Sequence, residues 1–150
     1  MACWLMKSEP SEVSIDDLVR ETQVPWFGVR NYLARNYMRD MMTVGDGVLF
    51  YHSSCPQPGV AGLAQVASAA YPDETQFDPK SKYFDAKATR DTPRWMNVDV
   101  KIVRKTPLLS LAEMRTHKSL ASMVVLQTGN RLSITPVTAA QWRAVQRLLA

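Results

Sequence analysis

The run Trp26-Phe27-Gly28-Val29-Arg30-Asn31-Tyr32 gathers large aromatics, a flexible glycine, a guanidinium and a carboxamide where a helical pattern begins. A planar, hydrogen-bonding ligand such as a nucleobase needs that equipment: an aromatic wall to stack on and an amide to read its edge. Gly28 permits a bent backbone. Arg30 and Asn31 stand where free backbone donors and the positive end of a helix dipole favour a phosphate. Each residue also has a plainer role open to it: Trp26 as a core tryptophan, Asn31 as a helix N-cap and Arg30 as a surface charge. Two further runs, Lys7-Ser8-Glu9-Pro10 and Phe50-Tyr51-His52-Ser53-Ser54, leave expected strands with similarly mixed chemistry. Three such runs in a small protein point to a binding site.

Catalysis finds less support in the same residues. Glu9 has no carboxylate partner at a fixed local spacing, so a paired acid/base mechanism has no footing. His52 beside Ser53, Ser54 and Cys55 invites a nucleophile and base, yet neighbours along an extended strand point to opposite faces, so His52 and Ser53 would not share one site. No Gly-x-Ser-x-Gly elbow and no Cys/His catalytic signature is present. Cys3, His52, Cys55 and His117 match no metal-ligand spacing, and no P-loop or Gly-x-Gly-x-x-Gly occurs. The expectation is therefore no catalytic residue, no metal and no cofactor.

The chain has 150 residues and a net charge of +4, enough for one domain with a sizeable core. The charge suits an anionic partner and a few phosphate contacts, expected from Arg30, Arg35 and Arg39, but is too small for coating long nucleic acid by charge alone. No apolar run approaches the roughly 18 residues a membrane span needs, and no basic region followed by a long apolar block opens the sequence. A cytoplasmic protein with reduced Cys3 and Cys55 is expected.

The elements that must position these residues are partly legible. Ala2 to Met6 reads as a buried strand that Pro10 ends. Ser14-Ile15-Asp16-Asp17 resembles a capping box, followed by a short helix with Ile15, Leu18 and Val19 inward. The spacing of Leu33, Tyr37 and Met41, with Ala34 and Met38 beside them, predicts a helix from Asn31 to Met42 with Arg35 and Arg39 on its wet face. Val48 to Tyr51 reads as a buried strand and Gly59 to Ala70 as another, with Gly62 allowing a bend or close approach. Met96 to Ile102 alternates as a half-wetted strand, with Asn97, Asp99 and Lys101 outward. A helix from Ser110 to Thr116, a strand near Arg131 to Thr135 and a closing helix capped by Thr138 and Gln141 complete the chain. Pro72 to Pro93 has neither period, but its Phe77, Tyr83 and Phe84 argue against disorder, so it reads as an ordered lid or wall. The predicted class is α+β, a curled antiparallel sheet or small barrel with packed helices.

Trp4-Leu5-Met6-Lys7-Ser8-Glu9-Pro10, the Trp26 to Tyr32 run and Val48-Leu49-Phe50-Tyr51-His52-Ser53 resemble successive signatures of the EVE domain. The likeness continues through Gly59-Val60-Ala61-Gly62, Phe77-Asp78-Pro79-Lys80-Ser81 with Tyr83, Pro93-Arg94-Trp95 and Gly129-Asn130-Arg131-Leu132-Ser133, so it spans essentially the whole chain. It implies a single PUA-like domain, an antiparallel β pseudo-barrel flanked by helices and related to the YTH and ASCH domains, in a compact form similar to bacterial members. It also implies binding of nucleic acid, DNA or RNA, with a modified base in an aromatic pocket. Trp26 would stack. Asn31 and backbone groups at Phe27, Gly28 and Val29 would read the base edge, with Lys7, Ser8, Tyr51, His52, Ser53 and Tyr83 completing the pocket. Phe27 stands where the family often has Asp or Glu, and Val13 where it often has Tyr or Phe. The alternative is an enzyme that processes RNA or nucleosides, as ASCH-type ribonucleases do, using Lys7, Tyr51 and His52; the missing acid/base pair argues against it.

Overall fold

The computed structural model describes residues 1–149. In chain order its elements are β1 (Cys3–Ser8), α1 (Ile15–Glu21), β2 (Gln23–Pro25), α2 (Tyr32–Asn36), β3 (Gly47–His52), β4 (Gly59–Val66), β5 (Tyr71–Pro72), β6 (Met96–Asn97), β7 (Asp99–Ser110), α3 (Leu111–Met114), β8 (Ile134–Val137) and α4 (Ala139–Leu149). Six strands form one sheet in the order β2-β7-β4-β3-β1-β8, and β5 pairs with β6. All pairs are antiparallel except β1 with β3, which run side by side in the same direction.

The central strands are apolar on both faces because the sheet is covered on both faces. Trp4, Met6, Val48 and Phe50 pack on one side with Ile15 and Leu18 of α1, Trp26, and Ala34 of α2. Cys3, Leu5, Leu49 and Tyr51 pack on the other with Met114 of α3 and Val145 and Leu149 of α4. Register irregularities in the β3–β4 and β4–β7 pairs bend the sheet. Gly62 sits at one of them; a Cβ there would lie 2.4 Å from Ile15 Cδ1, so the bare backbone is what lets α1 seat on the sheet.

Two helix starts form as their sequence signatures require. Ser14 Oγ accepts from Asp17 N and the Asp17 carboxylate accepts from Ser14 N. Gln141 Oε1 accepts from Thr138 N, and Thr138 Oγ1 accepts from Gln141 N. Elsewhere packing departs from periodicity. The expected helix to Met42 becomes α2 followed by a π-helical turn over Tyr37–Met41. Ala34 and Met38 carry its buried face, while Leu33 and Met41 lie exposed; the widened turn rotates Met41 away from the expected stripe. Val19 is likewise exposed. The half-wetted strand is interrupted after Asn97, whose side chain is buried, and resumes as β7, which runs on to Ser110. No helix among the described residues is long and apolar enough to cross a membrane.

His52, at the end of β3, fixes α1 to the sheet. Its Nε2 accepts from the Ile15 amide at 3.1 Å, which only the neutral ring can do. Burial lowers the imidazole pKa from its ordinary 6.5. This contribution to stability is therefore present above the unfolded value and lost as pH falls through the lower folded value. Urea unfolding at about pH 7.5 and about pH 5 should show a larger loss of stability for the wild type than for His52→Gln, which keeps an acceptor that does not titrate; equal losses would remove His52 from this role.

Candidate functional site

A cavity of about 530 Å³ opens beyond the carboxyl ends of β1 and β3, within the size range of small-molecule sites. One side is the end of β1 and the turn after it, with Lys7, Ser8, Glu9, Glu12 and Val13. The segment from Val24 to Asn31 forms the facing side, Ser53 and Ser54 follow β3, Tyr83 comes from the long segment, and Arg131 and Ser133 precede β8. Five stretches far apart in sequence meet here.

Trp26 is both core residue and cavity wall. It is 7% exposed, with its ring edge-on to Phe50 at a centroid distance of 5.5 Å. Among the described residues, the fully buried side-chain polar atoms that lack a partner belong to Asn97 and Thr106. The Trp26 indole N–H has no hydrogen-bond partner among the described residues either and is not fully buried, and Trp26 lines the cavity. Phe27 is exposed beside it and meets Tyr83 edge-on at 5.9 Å.

The loop that carries Tyr83 is held by Arg30. Its guanidinium has five N–H donors, and every one is engaged: Nε with Tyr83 O at 3.1 Å, Nη1 with Val29 O and Asp73 Oδ2, and Nη2 with Thr75 Oγ1 and Tyr83 O at 2.7 Å. The same group lies between two rings, 5.5 Å from the Tyr83 centroid and 5.3 Å from that of Trp95. Asp73 is fully buried, and its carboxylate also accepts from Gly28 N at 2.7 Å and from Thr75 N at 2.8 Å. Gly28 has φ +82°, and a Cβ there would sit 2.7 Å from Tyr83 Cζ. Glycine is thus required twice over, by backbone conformation and by the tyrosine ring against it. Gln76, fully buried as well, donates to the carbonyls of Asp73 and Trp95 and accepts from the amides of Arg94 and Trp95. The segment without a secondary-structure period is an ordered wall because buried polar groups satisfy one another across it.

Charge is unevenly spent around the rim. Glu12 accepts from the Tyr83 hydroxyl at 3.0 Å and pairs with the Lys82 ammonium. Those bonds, Lys82 first, hold its carboxyl below the usual carboxylate range; burial, and then the bond to Glu12, push the Tyr83 phenol up. Arg131 is exposed and the Lys7 ammonium half-buried, and neither makes an ion pair or a side-chain hydrogen bond among the described residues. Burial lowers the Lys7 pKa.

Of the residues singled out from sequence, Lys7, Ser8, Trp26, Phe27, Gly28, Val29, Arg30, Asn31, Ser53 and Tyr83 line this one cavity. Tyr51 does not: alternation along β3 turns it into the opposite core cluster. His52 lies outside the lining too, committed to the Ile15 amide. Arg30 reaches the cavity but has no donor left for a phosphate. Arg35 is spent on Arg94 O at 2.9 Å, on Asn36 and on the Tyr32 ring, 4.7 Å from its centroid. Arg39 pairs with Asp40 at 2.8 Å, away from the cavity. Asn31 is the N-cap of α2, its Oδ1 accepting from Ala34 N at 3.1 Å, which leaves its amide hydrogens and one oxygen lone pair for a ligand. Glu12 and Arg131 escaped sequence reasoning: Glu12 lies in a short turn without pattern, and the Gly129 to Ser133 run carried resemblance without a role. Among the described residues no three His, Cys, Asp or Glu side chains gather as they would to hold a metal ion.

Comparison with known proteins places this architecture. The family model described as EVE domain matches residues 2–148. The chain belongs to the EVE domain family. Thymocyte nuclear protein 1 of Homo sapiens is 40% identical over 164 aligned residues, covering 97% of this chain and 72% of that protein. A crystal structure of a protein from Pseudomonas putida superposes with a TM-score of 0.95 at 51% identity, covering 99% of this chain and 100% of the other. The human THYN1 protein in complex with DNA containing 5-methylcytosine superposes with a TM-score of 0.90 at 40% identity, covering 99% of this chain and 97% of that one. The PUA-like α+β fold of the EVE domain is therefore that of this chain as well.

In this EVE domain the Arg30–Asp73 pair joins a fully buried carboxylate to a partly exposed guanidinium. Removing Arg30 strands the buried carboxylate, so Arg30→Ala should cost about 3–5 kcal/mol in urea unfolding, and Asp73→Ala, which leaves a guanidinium that reaches solvent, less. The double variant should cost clearly less than their sum; strict additivity would show the two side chains to be independent.

Proposed function

We propose that this EVE domain binds nucleic acid and holds one modified base, turned out of its strand, in the cavity between Trp26, Phe27 and Tyr83, without transforming it. The observation that carries this reading is the cavity itself: large enough to admit a base with its sugar, walled by aromatic rings, and furnished with an indole N–H and two cations that have no partner among the described residues. The human relative crystallised with DNA containing 5-methylcytosine supports a DNA ligand with a modified cytosine; RNA remains within the proposal because stacking and edge reading do not depend on the sugar. Stacking supplies about 1–3 kcal/mol per base. Lys7 and Arg131 take the flanking phosphates in place of Arg30, whose five donors are engaged within the protein, and of Arg35 and Arg39, which do not line the cavity.

Binding without chemistry fits the placement of the groups an enzyme would use. Lys7 lines the cavity, Tyr51 is packed in the far core and His52 accepts an amide of α1. These three do not converge on one point where a reacting atom could sit.

Because Trp26 is buried, truncation to alanine would itself cost about 3–5 kcal/mol of stability; Trp26→Phe and Phe27→Ala are the cleaner probes. In fluorescence anisotropy both should weaken binding of an oligonucleotide with one 5-methylcytosine by about fivefold or more, with the melting temperature of Phe27→Ala near that of the wild type. Unchanged affinity in both would contradict the pocket. Titrations across salt concentrations should show the log–log slope for Arg131→Ala reduced by about one, while Arg39→Ala keeps the wild-type slope; the reverse would move the phosphate contacts to α2.

A further inference from the structure

The cavity offers a base edge two fixed groups of opposite kind. Glu12 is ionised at neutral pH, so its carboxylate can only accept hydrogen bonds, and it has about four lone-pair positions. Two are taken, one by the Tyr83 hydroxyl at 3.0 Å and one by the Lys82 ammonium. Those two bonds hold the carboxylate against the wall of the cavity it lines and leave acceptor capacity unspent. The Trp26 indole N–H can only donate, and has no partner among the described residues. Glu9 and Glu12 are both exposed on the same side of the cavity, but Glu9 makes no side-chain bond among the described residues, so nothing fixes its orientation.

We infer that Glu12 selects a base bearing an exocyclic amino group over one bearing a keto group at the same place. This deepens the base-binding reading and rests on it. Cytosine presents an amino donor beside a ring nitrogen acceptor, a pattern a carboxylate and an indole N–H can complement. Thymine carries the same ring and the same methyl group as 5-methylcytosine, and inverts both positions: an oxygen where the amino group was and an N–H where the acceptor was. Against Glu12 the thymine oxygen meets lone pairs with lone pairs, and the carboxylate loses water with nothing to replace it. A methyl-sensing pocket alone could not separate the two bases. Glu12 provides the discrimination between 5-methylcytosine and thymine.

The test uses three single-stranded DNA oligonucleotides, identical except for 5-methylcytosine, thymine or cytosine at one position, so that duplex opening does not enter. In anisotropy titrations the wild type should prefer 5-methylcytosine over thymine by about tenfold or more. Glu12→Gln, whose amide can turn to offer a donor, should shrink that ratio to within about threefold at an unchanged melting temperature. Lys82→Met, which removes a tether and keeps the carboxylate, should retain the preference. Equal binding of 5-methylcytosine and thymine by the wild type, both above cytosine, overturns the inference while the base-binding reading stands; it would mean that Lys7 or Arg131 satisfies the keto oxygen. An unchanged ratio in Glu12→Gln, or a loss in Lys82→Met as complete as in Glu12→Gln, overturns it too. Equal binding of all three by the wild type removes the base-binding reading and the inference with it.

Discussion

One partly buried guanidinium organises the half of this protein that surrounds the cavity. Arg30 spends all five donors within the chain, on Asp73, Thr75 and the carbonyls of Val29 and Tyr83, and lies between the rings of Tyr83 and Trp95. Asp73 answers with a fully buried carboxylate that also receives the Gly28 amide. A buried ion pair is often no more stabilising than a well-packed apolar pair. Here its value lies in geometry: a planar donor set meets four acceptor groups at fixed angles, so the segment between β5 and β6 can adopt one course. That segment has no ladder or helix of its own length to order it. Asp73 and Gln76 do that work, both buried and fully hydrogen-bonded.

The same interaction decides what the cavity can offer. Anchoring Tyr83 through its carbonyl and its ring sets the wall beside Glu12 and Phe27, with Gly28 bare because a side chain would strike the tyrosine. A preformed wall lowers the ordering cost of binding. It also withdraws one positive charge from solvent, so the cations that face a ligand are Lys7 and Arg131 rather than the arginines near α2. The cavity is consequently mixed in character: aromatic faces, a few cationic donors at the edge, one fixed carboxylate and one indole N–H. Such a surface can discriminate among bases, where a uniformly basic one would mainly hold phosphate.

Much of this was legible in the sequence, and the misses have a common cause. The capping boxes at Ser14 and Thr138, the twice-buried β1 and β3, and the ordered wall between Pro72 and Pro93 follow from local chemistry, which short-range spacing records. Asn31 carried both of its readings, and the structure shows the cap. Tyr51 and His52 were drawn toward the site because they adjoin Ser53, but alternation says only that neighbours face apart, never which face holds the cavity. Arg30 had the right location and the wrong partner: a guanidinium looks the same in sequence whether it meets a phosphate or a buried aspartate 43 positions away. Glu12 and Arg131 sit in turns whose role exists only once distant segments are brought together. The π-helical turn after α2 likewise rotated Met41 off the buried stripe, which Ala34 and Met38 carry.

The central claim is that a base leaves its strand and stacks in the cavity framed by Trp26, Phe27 and Tyr83. Nuclear Overhauser measurements on the protein saturated with a short DNA strand carrying one 5-methylcytosine examine that contact directly. The account predicts cross-peaks from the 5-methyl protons to ring protons of Trp26 and of Phe27 or Tyr83, with the base protons shifted upfield by the rings. A saturated complex whose methyl protons show contacts only to residues outside the cavity, with no ring-current shift, would contradict it.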